Sequence, residues 1–294
     1  SETLPPSATF TVTVKKAEAE AITGNVLNAK VAADSVNWYS YTANSVDAYN
    51  FAFKKVTKTE TGETVDDYTV GVYSNMMNGG ANERTSNFSD VMAVEDVWYF
   101  CVENTSSEEM NIRIMITTPA KQAMTLGSAS VVSFEDSNTK WLETTISQSG
   151  YYTLKRKNTN SSGNMYLYSG DSANAVYSSY GYSNGTSSNY LWLDAGRVLI
   201  QLNGSTNGST TIELEKMRTV GSEQQIDITL DEYGVEYVMC SMTNVGIPAI
   251  TRTDGENAPS SVNCWYLNKG SYYISTGTSQ YYSNMMFVGD SMIF

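Results

Sequence analysis

Histidine is absent from the 294 residues. That removes Ser-His-Asp and Cys-His nucleophilic catalysis, and every metal site that depends on imidazole. Acid–base chemistry would fall to carboxylates. A glycosidase needs two of them, roughly 5–10 Å apart in a cleft. Asp66-Asp67, Glu95-Asp96, Glu108-Glu109 and Asp231-Glu232 are the nearest pairs. All lie in loop-like stretches, and adjacent residues on a strand point to opposite faces. A carboxylate-based hydrolase is therefore the third-ranked reading, and no catalytic residue is assigned. Calcium needs several oxygens converging in one loop. The sequence has no DxDxDG pattern; "FEDSNTK" (134–140) and "TDGENA" (253–258) are its densest oxygen clusters, read as solvated turns. No cofactor is expected, with calcium as the alternative.

The three cysteines, Cys101, Cys240 and Cys264, make no CxxC. They read as buried thiols acting as small hydrophobes, with a Cys240–Cys264 bridge as the alternative. The residues best suited to holding a ligand are aromatic. "VYSSYGYSNGTSSNYLW" (176–192) interleaves tyrosine with Ser, Asn and Gly. Aromatic faces stack on the apolar faces of sugars, and neighbouring amides supply hydrogen bonds. Tyr177, Tyr180, Tyr182, Asn184 and Tyr190 are the candidate ligand-binding residues. The competing reading is a Tyr-rich loop packed on its own domain.

The net charge is −13. Nucleic acid is excluded as a partner, because phosphate binding needs clustered Lys and Arg, and an anionic membrane surface is disfavoured likewise. The basic runs Lys54-Lys55 and Lys155-Arg156-Lys157 read as solvated strand ends. No apolar stretch approaches the ~18 residues that span a bilayer, so no membrane insertion is expected. Ser1 is not an initiator Met, and the chain reads as a mature or trimmed piece of a longer protein.

These residues must be positioned by strands. "ATFTVTV" (8–14), "NWYSYTA" (37–43), "YNFAF" (49–53), "YTVGVYS" (68–74), "VWYFCVE" (97–103) and "NIRIMIT" (111–117) are β-branched or aromatic runs bounded by turn residues. Many short strands of this kind predict β-sandwiches. Residues 15–22, "KKAEAEAI", read as a helical turn or a linker.

The pattern recurs. An aromatic strand appears at 36–44, 139–147 and 234–242; a following strand at 47–53, 149–155 and 245–251; a "VYS"-like strand at 70–75 and 165–170. The closing turn is "VEDVWYFCVENTS" (94–106), "LDAGRVLIQLNGS" (193–205) and "LNKGSYYISTGTS" (267–279). On this alignment the third copy lacks a strand between Ile250 and Cys264. The first copy has Val97 where the others have Gly196 and Gly270, which marks a looser turn or a register slipped by one. Alternation then places Tyr39 and Tyr41, Leu142 and Thr144, and Val238 and Cys240 facing inward. Tyr99 and Cys101, Val198 and Ile200, and Tyr272 and Ile274 do the same near the closing turn.

The aromatic pair opening a strand ("NWYSYT"), the later "VYS" or "LYS" and the closing L-x-A-G-x-x-x-I resemble the bacterial pre-peptidase C-terminal (PPC) domain over residues 24–294. Where that family has an acidic residue before the aromatic pair, this chain has Asn37, Lys140 and Glu236. The resemblance implies jelly-roll-like sandwiches on secreted or surface proteins, serving as accessory modules without catalytic residues. It also implies a bacterial source, in which the Asn-x-Ser/Thr sequences at Asn184, Asn203 and Asn207 carry no glycan.

The sequence thus predicts an all-β protein of three tandem jelly-roll-like antiparallel β-sandwich repeats, the third shortened. Residues 1–23 form a leading strand or linker, followed by sandwiches over 24–120, 121–219 and 220–294. The expected role is a non-catalytic binding module, extracellular or on the cell surface, with a polysaccharide or glycan partner. A structural stalk, or an accessory segment of a larger secreted enzyme, is the alternative.

Overall fold

The computed structural model describes residues 18–74, 83–135, 139–205, 207–221, 224, 226–228, 230–241, 249–251, 262–266, 270–274, 280–282 and 291–293. They contain strands and turns and no helix. The chain divides into two compact units, residues 1–119 and 120–294.

The first unit holds β1 (Ala19–Ala21), β2 (Val26–Val31), β3 (Ser35–Thr42), β4 (Asp47–Thr59), β5 (Gly62–Asp67), β6 (Val70–Ser74), β7 (Glu83–Thr85), β8 (Asn87–Met92), β9 (Val97–Asn104) and β10 (Met110–Thr117). One sheet runs β1-β3-β9-β6-β7 and the other β2-β10-β4-β5, with β8 also on β4. The chain passes repeatedly from one sheet to the other, in jelly-roll-like fashion. The inner faces close on one core that joins Tyr39, Tyr41, Phe100 and Val102 of the first sheet to Phe51, Phe53, Ile112 and Ile114 of the second. Each such side chain contributes about 1.5–3 kcal/mol by burial.

The second unit opens with a sandwich of the same plan. It holds β11 (Lys121–Ala123), β12 (Ser130–Ser133), β13 (Thr139–Ile146), β14 (Gly150–Thr159), β15 (Gly163–Ser169), β16 (Tyr177–Gly181), β17 (Thr186–Leu193), β18 (Gly196–Asn203) and β19 (Ser209–Lys216). Its sheets run β11-β13-β18-β15-β16 and β12-β19-β14-β17, so β5 is the element that the first sandwich has in addition. Its core joins Leu142, Leu167, Val198 and Ile200 to Tyr152, Leu154, Ile212 and Leu214.

Beyond Met217 lie β20 (Arg218–Gly221), β21 (Val238–Ser241), β22 (Ala249–Thr251), β23 (Val262–Tyr266), β24 (Gly270–Ile274), β25 (Gln280–Tyr282) and β26 (Ser291–Ile293). They form a sheet β20-β21-β26-β23-β24 and a separate pair β22-β25. One signature occurs three times: a short strand pairs in parallel with a strand later in the chain, as Ala19 opposite Trp38, Lys121 opposite Trp141 and Arg218 opposite Val238.

Several expectations are corrected. The helical turn at 15–22 is not formed over its described part: Ala19–Ala21 is strand, because the free edge of β3 offers a ladder that outweighs the helix propensity of Ala and Glu. In the first sandwich the register slips by one. Phe100 and Val102 are the buried residues of β9, and Tyr99 is exposed. Phe100 lies opposite Tyr39 as Ile200 lies opposite Leu142. A one-residue difference in the closing turn moves every side chain to the other face. Thr144 and Cys240 are half-buried, while Tyr41, Leu142, Val198, Ile200 and Val238 are buried as expected.

The equivalence of 267–279 with 193–205 does not hold in the sheet. The place beside β21 that corresponds to β18 belongs to β26, and β24 sits at the edge like β16. The place of the strand expected to be missing is held by β23, "VNCWY". A glycine followed by β-formers begins a strand anywhere, so that phrase carries no topological address. The side chains of Tyr272 and Ile274 lie outside the described residues, as do residues 1–17.

Candidate functional site

The Tyr-rich stretch is mostly strand rather than loop. β16 is the edge strand of its sheet and pairs with β15, setting Tyr180 opposite Asn164 and Ser178 opposite Tyr166. Alternation turns Ser178 and Tyr180 to solvent, and Tyr177, Ser179 and Gly181 inward. A turn at 182–185 then leads into β17.

The five candidate residues separate. Tyr180 and Tyr182 are 55% and 76% exposed, and their rings meet edge to face with centroids 5.3 Å apart. Exposed Asn164 is the ladder neighbour of Tyr180. Tyr177 instead packs against the core. Asn184 takes a left-handed φ of 56°, and its side-chain oxygen accepts the Asn160 amide at 2.8 Å, so it builds the turn. Tyr190 lies on the other sheet, in ring contact with Tyr151 at 6.2 Å and Tyr237 at 5.2 Å. Burial, then the neighbouring Tyr151, pushes its phenol up.

Beneath Tyr180 and Tyr182 lies a polar plug that the sequence reading missed. Arg156, read as a solvated strand end, is 1% exposed. It falls on the inward-facing set of β14 with Tyr152, Leu154 and Asn158, and burial pulls its pKa down. Its Nε donates to Asn158 Oδ1 at 3.0 Å and its Nη2 to the Gly163 carbonyl at 2.9 Å. Asn158 in turn donates to the Tyr182 carbonyl at 2.9 Å and accepts from Thr210 Oγ1 at 2.9 Å. The exposed tyrosines therefore rest on a fixed floor. Gly181 is required above it, because a Cβ there would lie 2.5 Å from the guanidinium carbon. Gly181→Ala should cost about 1–3 kcal/mol by overpacking and reorient Tyr180 and Tyr182; thermal melting and tyrosine fluorescence check this.

A second aromatic feature was also missed. Trp192 on β17 is 52% exposed, meets Tyr151 edge to face at 5.2 Å, and donates its indole N–H to Asp194 Oδ1 at 3.2 Å. The alternation of β17 could have flagged it, since "TSSNYLWL" places Trp192 out of phase with the buried Leu191 and Leu193.

Most of the candidate carboxylates are engaged in ion pairs or turns. Asp67 pairs with Lys54, Glu109 with Lys30 at 2.6 Å, Asp231 with Lys155 at 2.9 Å and Glu232 with Lys157 at 2.5 Å. Glu95 and Asp96 form the turn before β9. Among the described residues, one open cleft of about 320 Å³ beside Trp141 has no carboxylate in its lining. Another, of about 550 Å³, has Glu143, which Arg197 Nη2 binds at 2.6 Å. Cys101 and Cys240 are free thiols, and the side chain of Cys264 lies outside the described residues. Burial pushes both thiols up. Residues 136–138 and 253–258, within the calcium candidates, lie outside the described residues. Among the described residues no group of His, Cys, Asp and Glu is arranged to hold a metal ion, and no helix is long and apolar enough to cross a membrane.

No protein-family model matches the chain, and no curated protein matches its sequence. Solved structures similar to it include an isomalto-dextranase of Arthrobacter globiformis T6 complexed with panose, with 11% identity over 64% of this chain and 36% of that one and a TM-score of 0.20. Dimeric latent PorU from Porphyromonas gingivalis gives 10% identity over 92% and 32%, with a TM-score of 0.19. A triple jelly-roll protein of an archaeal virus gives 10% over 87% and 76%, also at 0.19. The chain spans about a third of the length of the first two. At these scores the likeness carries no argument about what the chain binds.

Proposed function

We propose that the chain is a non-catalytic, glycan-binding part of a larger extracellular bacterial protein, built of three tandem PPC-like sandwiches. The exposed Tyr180–Tyr182 pair on the edge of the second sandwich carries this reading. Two phenol rings held edge to face offer one apolar surface, and Asn164 and Ser178 add an exposed amide and hydroxyl on the same outward set. These groups are uncharged, which favours a neutral sugar over a uronic acid, and the chain's net charge of −13 repels anionic polymers further. The recurring parallel strand pair supports the tandem organisation.

Retention of the chain by insoluble neutral polysaccharides is the test. With an aromatic–sugar stack taken on the scale of an aromatic pair, about 0.5–1.5 kcal/mol, Tyr180→Ala and Tyr182→Ala should each weaken retention about two- to tenfold. Chelator should leave it unchanged. Retention that survives both substitutions, or that chelator abolishes, would move the site to other groups. A structural stalk is the second reading, favoured by the ion-paired junction that ties residues 231–237 to the second sandwich. It predicts no retention at all.

A further inference from the structure

The outer face of the second sandwich holds a cation where the alternation of β14 leads one to expect a solvated side chain. Lys155 is 5% exposed. Its Nζ lies 2.9 Å from Asp231, 3.1 Å from Glu215 and 3.4 Å from Glu236, and 5.8 Å from the Tyr233 ring centroid. Glu215 belongs to the neighbouring β19, whereas Asp231, Tyr233 and Glu236 belong to the segment that leads into β21. Further contacts follow the same line. Lys157 pairs with Glu232 at 2.5 Å, and Arg218 of β20 with Glu236 at 2.8 Å. Tyr237 donates to the Ser188 carbonyl of β17 at 3.1 Å and meets the Tyr190 ring. Glu213 of β19 lies directly opposite Lys155 in the ladder. Five carboxylates (Glu213, Glu215, Asp231, Glu232, Glu236) thus face three cations (Lys155, Lys157, Arg218).

We propose that residues 231–237 are an acid-tuned clasp that fastens the strands beyond Met217 to the second sandwich, gripping hardest in mild acid and releasing in strong acid. The excess of carboxylates sets the first limb. Burial, then repulsion from Glu215, raises the Glu213 carboxyl above its ordinary range; Lys155 offsets part of this, and Asp231 and Glu236 of the clasp add to it. The closed clasp therefore favours protonated Glu213. Its stability rises as pH falls through that raised value, and the gain is complete below about 4.3.

The ion pairs set the second limb. Burial opposes the Asp231 charge, but hydrogen bonds from Lys155 and the Tyr233 amide outweigh it and leave the carboxyl below its ordinary range. That contribution is present above about 3.9 and is lost as pH falls through the depressed value. Burial likewise opposes the Lys155 charge, and its carboxylate partners outweigh it, so the lysine stays charged throughout.

Hydrogen exchange of residues 231–237 in the intact chain, corrected for intrinsic rates, tests this at pH 7, 5 and 3. Protection should rise about two- to tenfold from pH 7 to 5 and fall again at pH 3. Glu213→Gln should raise protection at pH 7 and flatten the rise, while folding as the parent does. Lys155→Met should remove protection from 231–237 while the core strands β13 and β18 exchange as before. Protection that is flat with pH, or unchanged by Lys155→Met, would overturn the clasp; so would a pH 7-to-5 rise that persists in Glu213→Gln.

Discussion

Ile200→Asp is expected to unfold the second sandwich. Ile200 is fully buried at the centre of β18, opposite Leu142 on one side and Leu167 on the other. The substitution loses the burial of an isoleucine side chain, about 1.5–3 kcal/mol. It also places a carboxyl among aliphatic groups, at a cost of several kcal/mol more. The sum exceeds about 5 kcal/mol, which is the stability of many whole domains. The control is Ile200→Val, which should cost only about 0.5–1.5 kcal/mol. Loss of near-ultraviolet circular dichroism and early cleavage within residues 120–217 would report the collapse. A melting temperature within a few degrees of the parent would mean that this strand face is not the core.

The second large effect distinguishes neighbouring residues in the first sandwich. Phe100 is fully buried, with ring centroids 5.1 Å from Phe53 and 5.4 Å from Phe51. Phe100→Ala should cost about 3–5 kcal/mol, whereas Tyr99→Ala, at an outward position, should cost about 1 kcal/mol or less. Denaturant midpoints of the two variants check the register directly. The reverse order of costs would restore the alignment in which Tyr99 and Cys101 face the core.

This register is also where the limits of the sequence are clearest. Period-2 alternation identified the inward residues in β3 and β18 and, for Leu142 but not Thr144, in β13, because one face of each meets an apolar core. It failed in β9, where Val97, Trp98, Tyr99, Phe100, Cys101 and Val102 are all β-formers and both faces look apolar. Only the length of the preceding turn sets the phase there. The repeated phrase at 193–205 and 267–279 misled for a related reason: strand chemistry repeats wherever strands repeat, and the position of a strand in its sheet depends on long-range pairing.

The candidate site was legible in part. Tyr180 and Tyr182 were found by composition and are exposed together. Tyr177, Asn184 and Tyr190 were drawn in by proximity along the chain, and the alternation of β16 and the sheet change at the turn send them elsewhere. Lys155 and Arg156 were misread, because a run of basic residues on a strand looks solvated. One of the pair had to face the core, and the other, Lys155, is covered by a segment more distant in the chain, at Asp231 and Glu236. No local pattern reveals that cover.

Tyr180 and Tyr182 of the second sandwich are proposed to hold a neutral glycan. Saturation-transfer NMR of the intact chain with neutral oligosaccharides, beside the Tyr180→Ala/Tyr182→Ala double variant, tests this most directly. Transfer to sugar ring protons is expected in the parent, and its loss in a double variant with unchanged circular dichroism. Equal transfer in both proteins, or none in the parent with any neutral oligosaccharide, would contradict it.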